Sequence, residues 1–141
     1  MEVKKVVKRD ILESEFIFIF EKEFREEPVT ELLELSLDNE AVTVNDEVRN
    51  TVEGVFAHLN ELDGVISGLS KKRAIDRIPK INLAALRLAI YKIMGKPDKD
   101  YCAIIIKEVV DLVHKYAQDS DVSFVNGVLG AYSRSLKETE K

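Results

Sequence analysis

Apolar residues recur every three or four positions along most of this chain, and this helical periodicity constrains the fold more than any other feature of the sequence. The pattern is clearest from Asn45 to about Ile66, where the apolar positions are Val48, Val52, Val55, Phe56, Leu59, Leu62 and Ile66. Because a helix turns once every ~3.6 residues, this spacing puts them on one face. We therefore predict a helix over this range, with Asn45 or Asp46 as its N-cap.

The same spacing predicts further helices on both sides of this one. The first covers Lys4 to Phe24, since the Glu and Lys residues that flank the apolar run Phe16–Phe20 favour a helix over a strand. The others are a short helix after Pro28, a helix from Asn82 to near Met94, one from Tyr101 to Tyr116, and one that begins near Ser120 or Asp121. Together these segments indicate an all-α fold.

The segment Tyr101–Tyr116 is apolar over more than half of its helical circumference, which predicts a central position in the core. Its many β-branched residues leave a buried strand as the alternative. The charged residues Lys107, Glu108 and Asp111 favour the helix, because they would interrupt a buried strand.

Charge is unevenly distributed along the chain, although the net charge is only −5. Residues 1–9 contain four basic groups and one acid, residues 10–61 contain three basic groups and fifteen acids, and residues 71–99 contain nine basic groups and two acids. Basic clusters in an otherwise acidic protein indicate a local site for a polyanion, since charges further apart than ~10 Å are screened in physiological salt. A solvated helical surface is the alternative.

Length and motif content exclude several classes of protein. With 141 residues and 45% apolar content, the chain suits one domain over residues 1–141. Its apolar runs are far shorter than the ~20 residues of a membrane span, and no signal or transit peptide fits the N-terminus, so we expect a cytoplasmic protein. One cysteine and two distant histidines predict no metal. No phosphate loop, dinucleotide fingerprint or nucleophile elbow occurs, so we expect no catalytic residue and no cofactor.

Arg87 interrupts the apolar run of a helix that we expect to be largely buried. A buried charge without a partner costs several kcal/mol, so this side chain needs an acid or a path to solvent. Glu108 and Asp111, on the following helix, are the candidate partners. We therefore predict a structural ion pair at Arg87, with ligand binding as the alternative.

Three short segments of this sequence resemble the ordered signatures of one protein family. They are Leu-Arg-Leu-Ala-Ile-Tyr at 86–91, Ile-Lys-Glu-Val-Val-Asp-Leu at 106–112 followed by Lys115 and Tyr116, and Phe-Val-Asn-Gly-Val-Leu at 124–129. In order and in spacing they are similar to the NusB family of transcription antitermination factors. The stretch from Leu62 to Ile81 resembles the connector that precedes the first signature, so the resemblance covers about half of the chain.

The resemblance implies a fold and a set of partners. The fold would be a compact bundle of about seven helices, built from two packed helical subdomains. The role would be that of a non-enzymatic adaptor that binds boxA-like single-stranded RNA together with the small-subunit ribosomal protein NusE, within the RNA polymerase antitermination complex, and so supports rRNA transcription.

The resemblance also implies site residues. The family's arginine-rich first helix corresponds here to Lys4, Lys5, Lys8 and Arg9, and because lysine lacks the planar fork of arginine we expect weaker or less specific RNA contacts. Phe124 is either a core aromatic or a ring on which a base stacks. Alignment of the signatures places partner-binding residues at Phe20, Asp76 and Asn82, although Phe20 also fits the core.

The motif at 124–129 has a structural interpretation beside the functional one. Gly127 would permit close helix approach, at a cost of about 1 kcal/mol in helix propensity, and Asn126 would bond a neighbouring backbone. Two other functions stay open. One is a helical protein-interaction module that has lost RNA binding; the other is the detached RNA-binding region of an RNA methyltransferase.

Overall fold

The computed structural model describes residues 8–37, 42–71 and 73–139, with side chains for 10–37, 42–71 and 73–137. Within these ranges there is no strand, and the helices are α1 (Lys8–Lys22), α2 (Val29–Leu35), α3 (Asp46–Ala57), α4 (Leu59–Leu69), a short 3₁₀ helix (Ile75–Arg77), α5 (Lys80–Gly95), α6 (Lys99–Tyr116) and α7 (Asp119–Thr139). The all-α prediction is confirmed, and both strand alternatives, at 16–20 and in 101–116, are excluded.

The helices pack as two groups that share α5. Helices α1, α2 and α3 contact one another, and α4, α6 and α7 surround α5. Helix α5 also contacts α1 and α3, so it joins the two groups into one apolar core. None of the helices within the described residues is long and apolar enough to cross a membrane.

The central helix of the bundle is α5, and the prediction that the segment 101–116 would be central is wrong. Every residue from Asn82 to Ile90 is buried. Alanines at 84, 85 and 89 let neighbouring helices approach α5 from several sides, whereas α6 buries only one face and leaves Ile104 54% exposed. The β-branched residues of α6 therefore partly face solvent.

The single helix predicted from Asn45 to Ile66 is in fact two helices, α3 and α4, separated at His58. His58 has φ −112° and ψ 23°, which takes the backbone out of regular helix geometry. The apolar stripe continues across this break, because Val55, Leu62 and Ile66 keep the spacing of a single helix and all three are buried. The sequence pattern therefore gave no sign of the break.

Helix starts were predicted more accurately than the exposed end of α1. Asn45 caps α3 as expected, since its Oδ1 accepts a hydrogen bond from the backbone N–H of Val48 at 2.8 Å. Phe24 was predicted on the apolar face of the first helix but lies after its last turn and is 63% exposed. Phe18, which was not predicted as apolar core, is buried in its place.

Candidate nucleic-acid interface

A basic, aromatic groove lies between the turn after α4 and the side of α7 that runs from Ser123 to Arg134. Its volume is about 640 Å³, and its lining includes Phe124 and the cationic side chains of Lys71, Arg73 and Arg134. Phe124 is half-buried and packs against the core with part of its surface. The Arg73 guanidinium lies over the ring, 4.9 Å from its centroid. Phe124 thus combines features of both sequence interpretations, core contact and groove lining.

Ser70 fixes the turn that carries Arg73 to this ring. It follows the last residue of α4 and is buried, and its backbone N–H donates to the carbonyl of Ile66 at 2.8 Å. Its hydroxyl donates to the Arg73 carbonyl at 3.2 Å, and the Arg73 N–H donates back to the Ser70 carbonyl at 3.3 Å. The groove is therefore held by a closed turn, and its cations can face phosphate while its ring faces a base.

The basic cluster predicted at the start of the first helix is only partly described. Lys8 and Arg9 are the first two residues of α1, whereas Lys4 and Lys5 lie outside the described residues. Phosphate binding by this cluster remains a prediction.

The predicted partner surface is partly available. Phe20 is half-buried and meets the exposed Phe24 edge to face, with ring centroids 5.1 Å apart. Asp76 is exposed on the 3₁₀ helix. Asn82 is fully buried, and its amide donates to Asp121 on α7 at 2.9 Å, so the prediction that its side chain meets a partner is wrong in this structure. Sequence alignment located the position on α5 but not the direction of the side chain.

Arg87 forms a structural ion pair, but with different acids from those predicted. Its guanidinium donates twice to Asp63 on α4, at 2.9 Å each, and once to Glu23 at the end of α1. Burial alone would lower the pKa of Arg87, but the hydrogen bonds to these two carboxylates raise it. Glu23 also lies 3.6 Å from the Lys80 ammonium. This network fixes the end of α1 against α4 and α5.

The remaining structural predictions are not supported by the geometry. Glu108 lies on a groove beside α1 and does not meet Arg87. A Cβ placed on Gly127 would have no neighbour within 4 Å, so this glycine does not permit a close helix approach. Asn126 is likewise exposed. The stretch 126–127 faces away from the core, which leaves its side of α7 accessible.

These features define an all-helical protein that presents a basic, aromatic groove at one end of its bundle, as nucleic-acid-binding adaptors do. The sequence matches the NusB family over residues 4–134. The chain therefore belongs to the NusB family.

Individual relatives agree with this family. The transcription antitermination protein NusB of Acetivibrio thermocellus is 38% identical over 112 residues, which cover 78% of this chain and 74% of that protein. The NusB of Clostridium acetobutylicum is 32% identical over 132 residues, which cover 83% of this chain and 97% of that protein.

Solved structures agree as well. One is a crystal structure of the antitermination factors NusB and NusE in complex with double-stranded RNA, with a TM-score of 0.79, 25% identity, and coverage of 91% of this chain and 96% of that one. Another is NusB of T. maritima, with a TM-score of 0.80, 26% identity and 92% coverage of both chains. The family resemblance and the predicted helical fold are confirmed.

Proposed function

We propose that this protein is an antitermination adaptor that binds boxA-like single-stranded RNA together with the ribosomal protein NusE and so supports rRNA transcription. It would act in the cytoplasm, as one domain over residues 1–141, within the RNA polymerase antitermination complex. The observation that carries the proposal is the groove at Phe124, where a ring and three cations meet in a member of this family.

The chemistry of the groove suits a single strand better than a duplex. A stacked base needs an accessible ring, which a single strand can reach because its bases are unpaired. The Arg73 guanidinium already lies against the Phe124 ring, and Lys71 and Arg134 line the same groove. These groups would neutralise the phosphates that flank the stacked base.

NusE would supply the second part of the RNA-binding surface. The relative solved with NusE and RNA supports this partner, and the exposed Phe24 beside Phe20 offers an aromatic surface for it. Two weak RNA surfaces, one on each protein, act as a single site when the proteins are joined, which raises avidity by ~10²–10⁴. The basic residues at the start of α1, although mostly lysines rather than arginines, would then be sufficient for RNA binding.

Fluorescence anisotropy with a labelled single-stranded boxA-like RNA tests the proposal, with and without NusE. Phe124→Leu keeps an apolar side chain of similar size but removes the ring, so we expect a loss of ~1–3 kcal/mol in binding free energy and an unchanged salt dependence. Arg73→Ala should instead reduce the slope of log affinity against log salt by about 0.7.

Lys99→Ala is the matched control for the loss of one charge. Lys99 is exposed at the start of α6 and does not line the groove. This variant should bind RNA like the wild type. If the wild type binds NusE but no RNA at low salt, the chain is a protein-interaction module that has lost RNA binding, and the proposal is wrong.

A further inference from the structure

A second accessible aromatic ring lies at the end of α6. Tyr116 is the last residue of this helix and is 43% exposed. Its ring packs on Phe16 of α1, with centroids 5.7 Å apart and planes inclined by 30°, and its hydroxyl donates to Glu13 of the same helix. The ring is therefore held at both its face and its hydroxyl while part of it remains open to solvent.

Lys115 completes the arrangement. Its ammonium lies 5.3 Å from the centroid of the Tyr116 ring and pairs with Glu13. An exposed cation–π contact is worth only about 2- to 5-fold in a binding constant, whereas a stacked base is worth about 5- to 150-fold. A base can therefore displace the ammonium from the ring, and Lys115, while still paired with Glu13, can donate to the adjoining phosphate.

The position of this ring in the chain links two predicted RNA contacts. Glu13 lies four residues, one helical turn, after Arg9 in the basic start of α1. Tyr116 itself precedes the first residue of α7 by three positions, and Phe124 lies in the second turn of α7. The ring thus contacts the helix that carries the first basic cluster and adjoins the helix that carries the groove.

We propose that Tyr116 is a stacking platform for one base of a single-stranded RNA that runs from the start of α1 to the Phe124 groove. Lys115 would contact the neighbouring phosphate, and Glu13 would act as a positioning residue for both side chains. The inference rests on the proposed RNA-binding function and adds a third contact to it.

The absence of tryptophan from the sequence allows a direct test. Tyr116→Trp introduces the sole indole, whose emission is quenched when a base stacks on it. Tyr101→Trp is the matched control. Lys96 lies over the Tyr101 ring at 5.0 Å, in the same way as Lys115 lies over Tyr116. Tyr101 precedes Tyr116 by fifteen residues on α6, which separates them by about 22 Å along the helix axis. A short single-stranded RNA of mixed sequence should quench the first variant and leave the second unchanged.

Affinities provide an independent measurement. By anisotropy, Tyr116→Leu should bind the same RNA about 5- to 150-fold more weakly, while Tyr116→Phe keeps the ring and should bind nearly as well as the wild type. Circular dichroism establishes that each variant is folded. If Tyr116→Leu does not fold, the emission of Tyr116→Trp still decides.

Two results distinguish failure of the proposed RNA-binding function from failure of the Tyr116 platform alone. If the wild-type protein binds no RNA, the proposed function fails and the platform fails with it. If the wild type binds RNA but saturating RNA leaves the emission of Tyr116→Trp unchanged, the platform alone is wrong and RNA binding through the Phe124 groove stands.

Discussion

Replacing Arg87 by Met should destabilise the fold strongly. The Arg87 side chain is only 5% exposed, and its partners Glu23 and Asp63 are 17% and 24% exposed. Removal of the guanidinium leaves two poorly solvated carboxylates facing each other, and breaking a buried ion pair in this way costs ~3–5 kcal/mol. For a chain of this size each kcal/mol lowers Tm by roughly 3–4 °C, so we expect a decrease of about 10–20 °C.

Thermal melts followed by circular dichroism measure this decrease, and the chain offers a matched control. Arg25 makes an equally bidentate pair with Glu27, at 2.9 and 3.0 Å, but its side chain is 44% exposed. Because water screens such a pair, Arg25→Met should barely change Tm. If the two variants lose similar stability, burial of the Arg87 pair contributes nothing and the argument is wrong.

The same network predicts an acid-dependent loss of stability. Burial would raise the pKa of Glu23, but the hydrogen bond and charge of Arg87 outweigh burial and lower it below its ordinary value of 4.5. A carboxylate whose pKa is lowered by folding stabilises the fold above pH 4.5, and this contribution is lost as pH falls through the lower, folded value. Urea titrations below pH 4.5 should show this loss in the wild type and a smaller one in Arg87→Met.

Three further changes test separate parts of the molecule. Lys8→Ala with Arg9→Ala should reduce the salt slope of RNA affinity by about 1.4, at 0.7 per phosphate contact; an unchanged slope and affinity would remove α1 from the RNA site. Phe20→Ala should abolish NusE capture in a pull-down and cost less than the ~3–5 kcal/mol of a fully buried phenylalanine; intact capture by a folded variant would exclude this surface. Gly54→Ala should destabilise the fold, since its Cβ would overlap the Tyr91 hydroxyl, but stabilise it in a Tyr91→Ala background, where a calorimetric cycle would detect the change of sign.

The helices could be predicted because apolar spacing and capping residues are local properties of the sequence. Asn45 and the stripe from Val48 to Ile66 lie within one window, so the pattern identified the cap and the apolar face together. The break at His58 could not be found in this way, because the stripe continues through it and only the backbone angles change. Periodicity determines which face is apolar but not whether the axis is continuous.

Candidate site residues could be proposed from the sequence where a motif named them, but not where the fold creates the contact. Phe124 was identified by its motif, but Arg73 over its ring was not, since their contact depends on the turn that Ser70 closes. The partners of Arg87 lie 24 and 64 positions away in sequence, beyond the reach of any local pattern. We predicted acids on the following helix, α6, but the acids that pair with Arg87 lie on α4 and at the end of α1.

Some of the basic residues that cluster in the sequence are paired with acidic side chains in the folded protein. Three of the nine basic residues between 71 and 99 pair with acids of α1 and α4 rather than with an external anion: Lys80 and Arg87 with Glu23, and Lys92 with the fully buried Glu15 at 2.9 Å. Burial raises the pKa of Glu15 despite the nearby Lys92 ammonium, so this pair loses stability as pH rises above 4.5, the opposite of Glu23. The acidic segment is therefore partly an internal counter-charge for α5, whereas Lys71 and Arg73, on the turn after α4, line the Phe124 groove that we propose binds RNA.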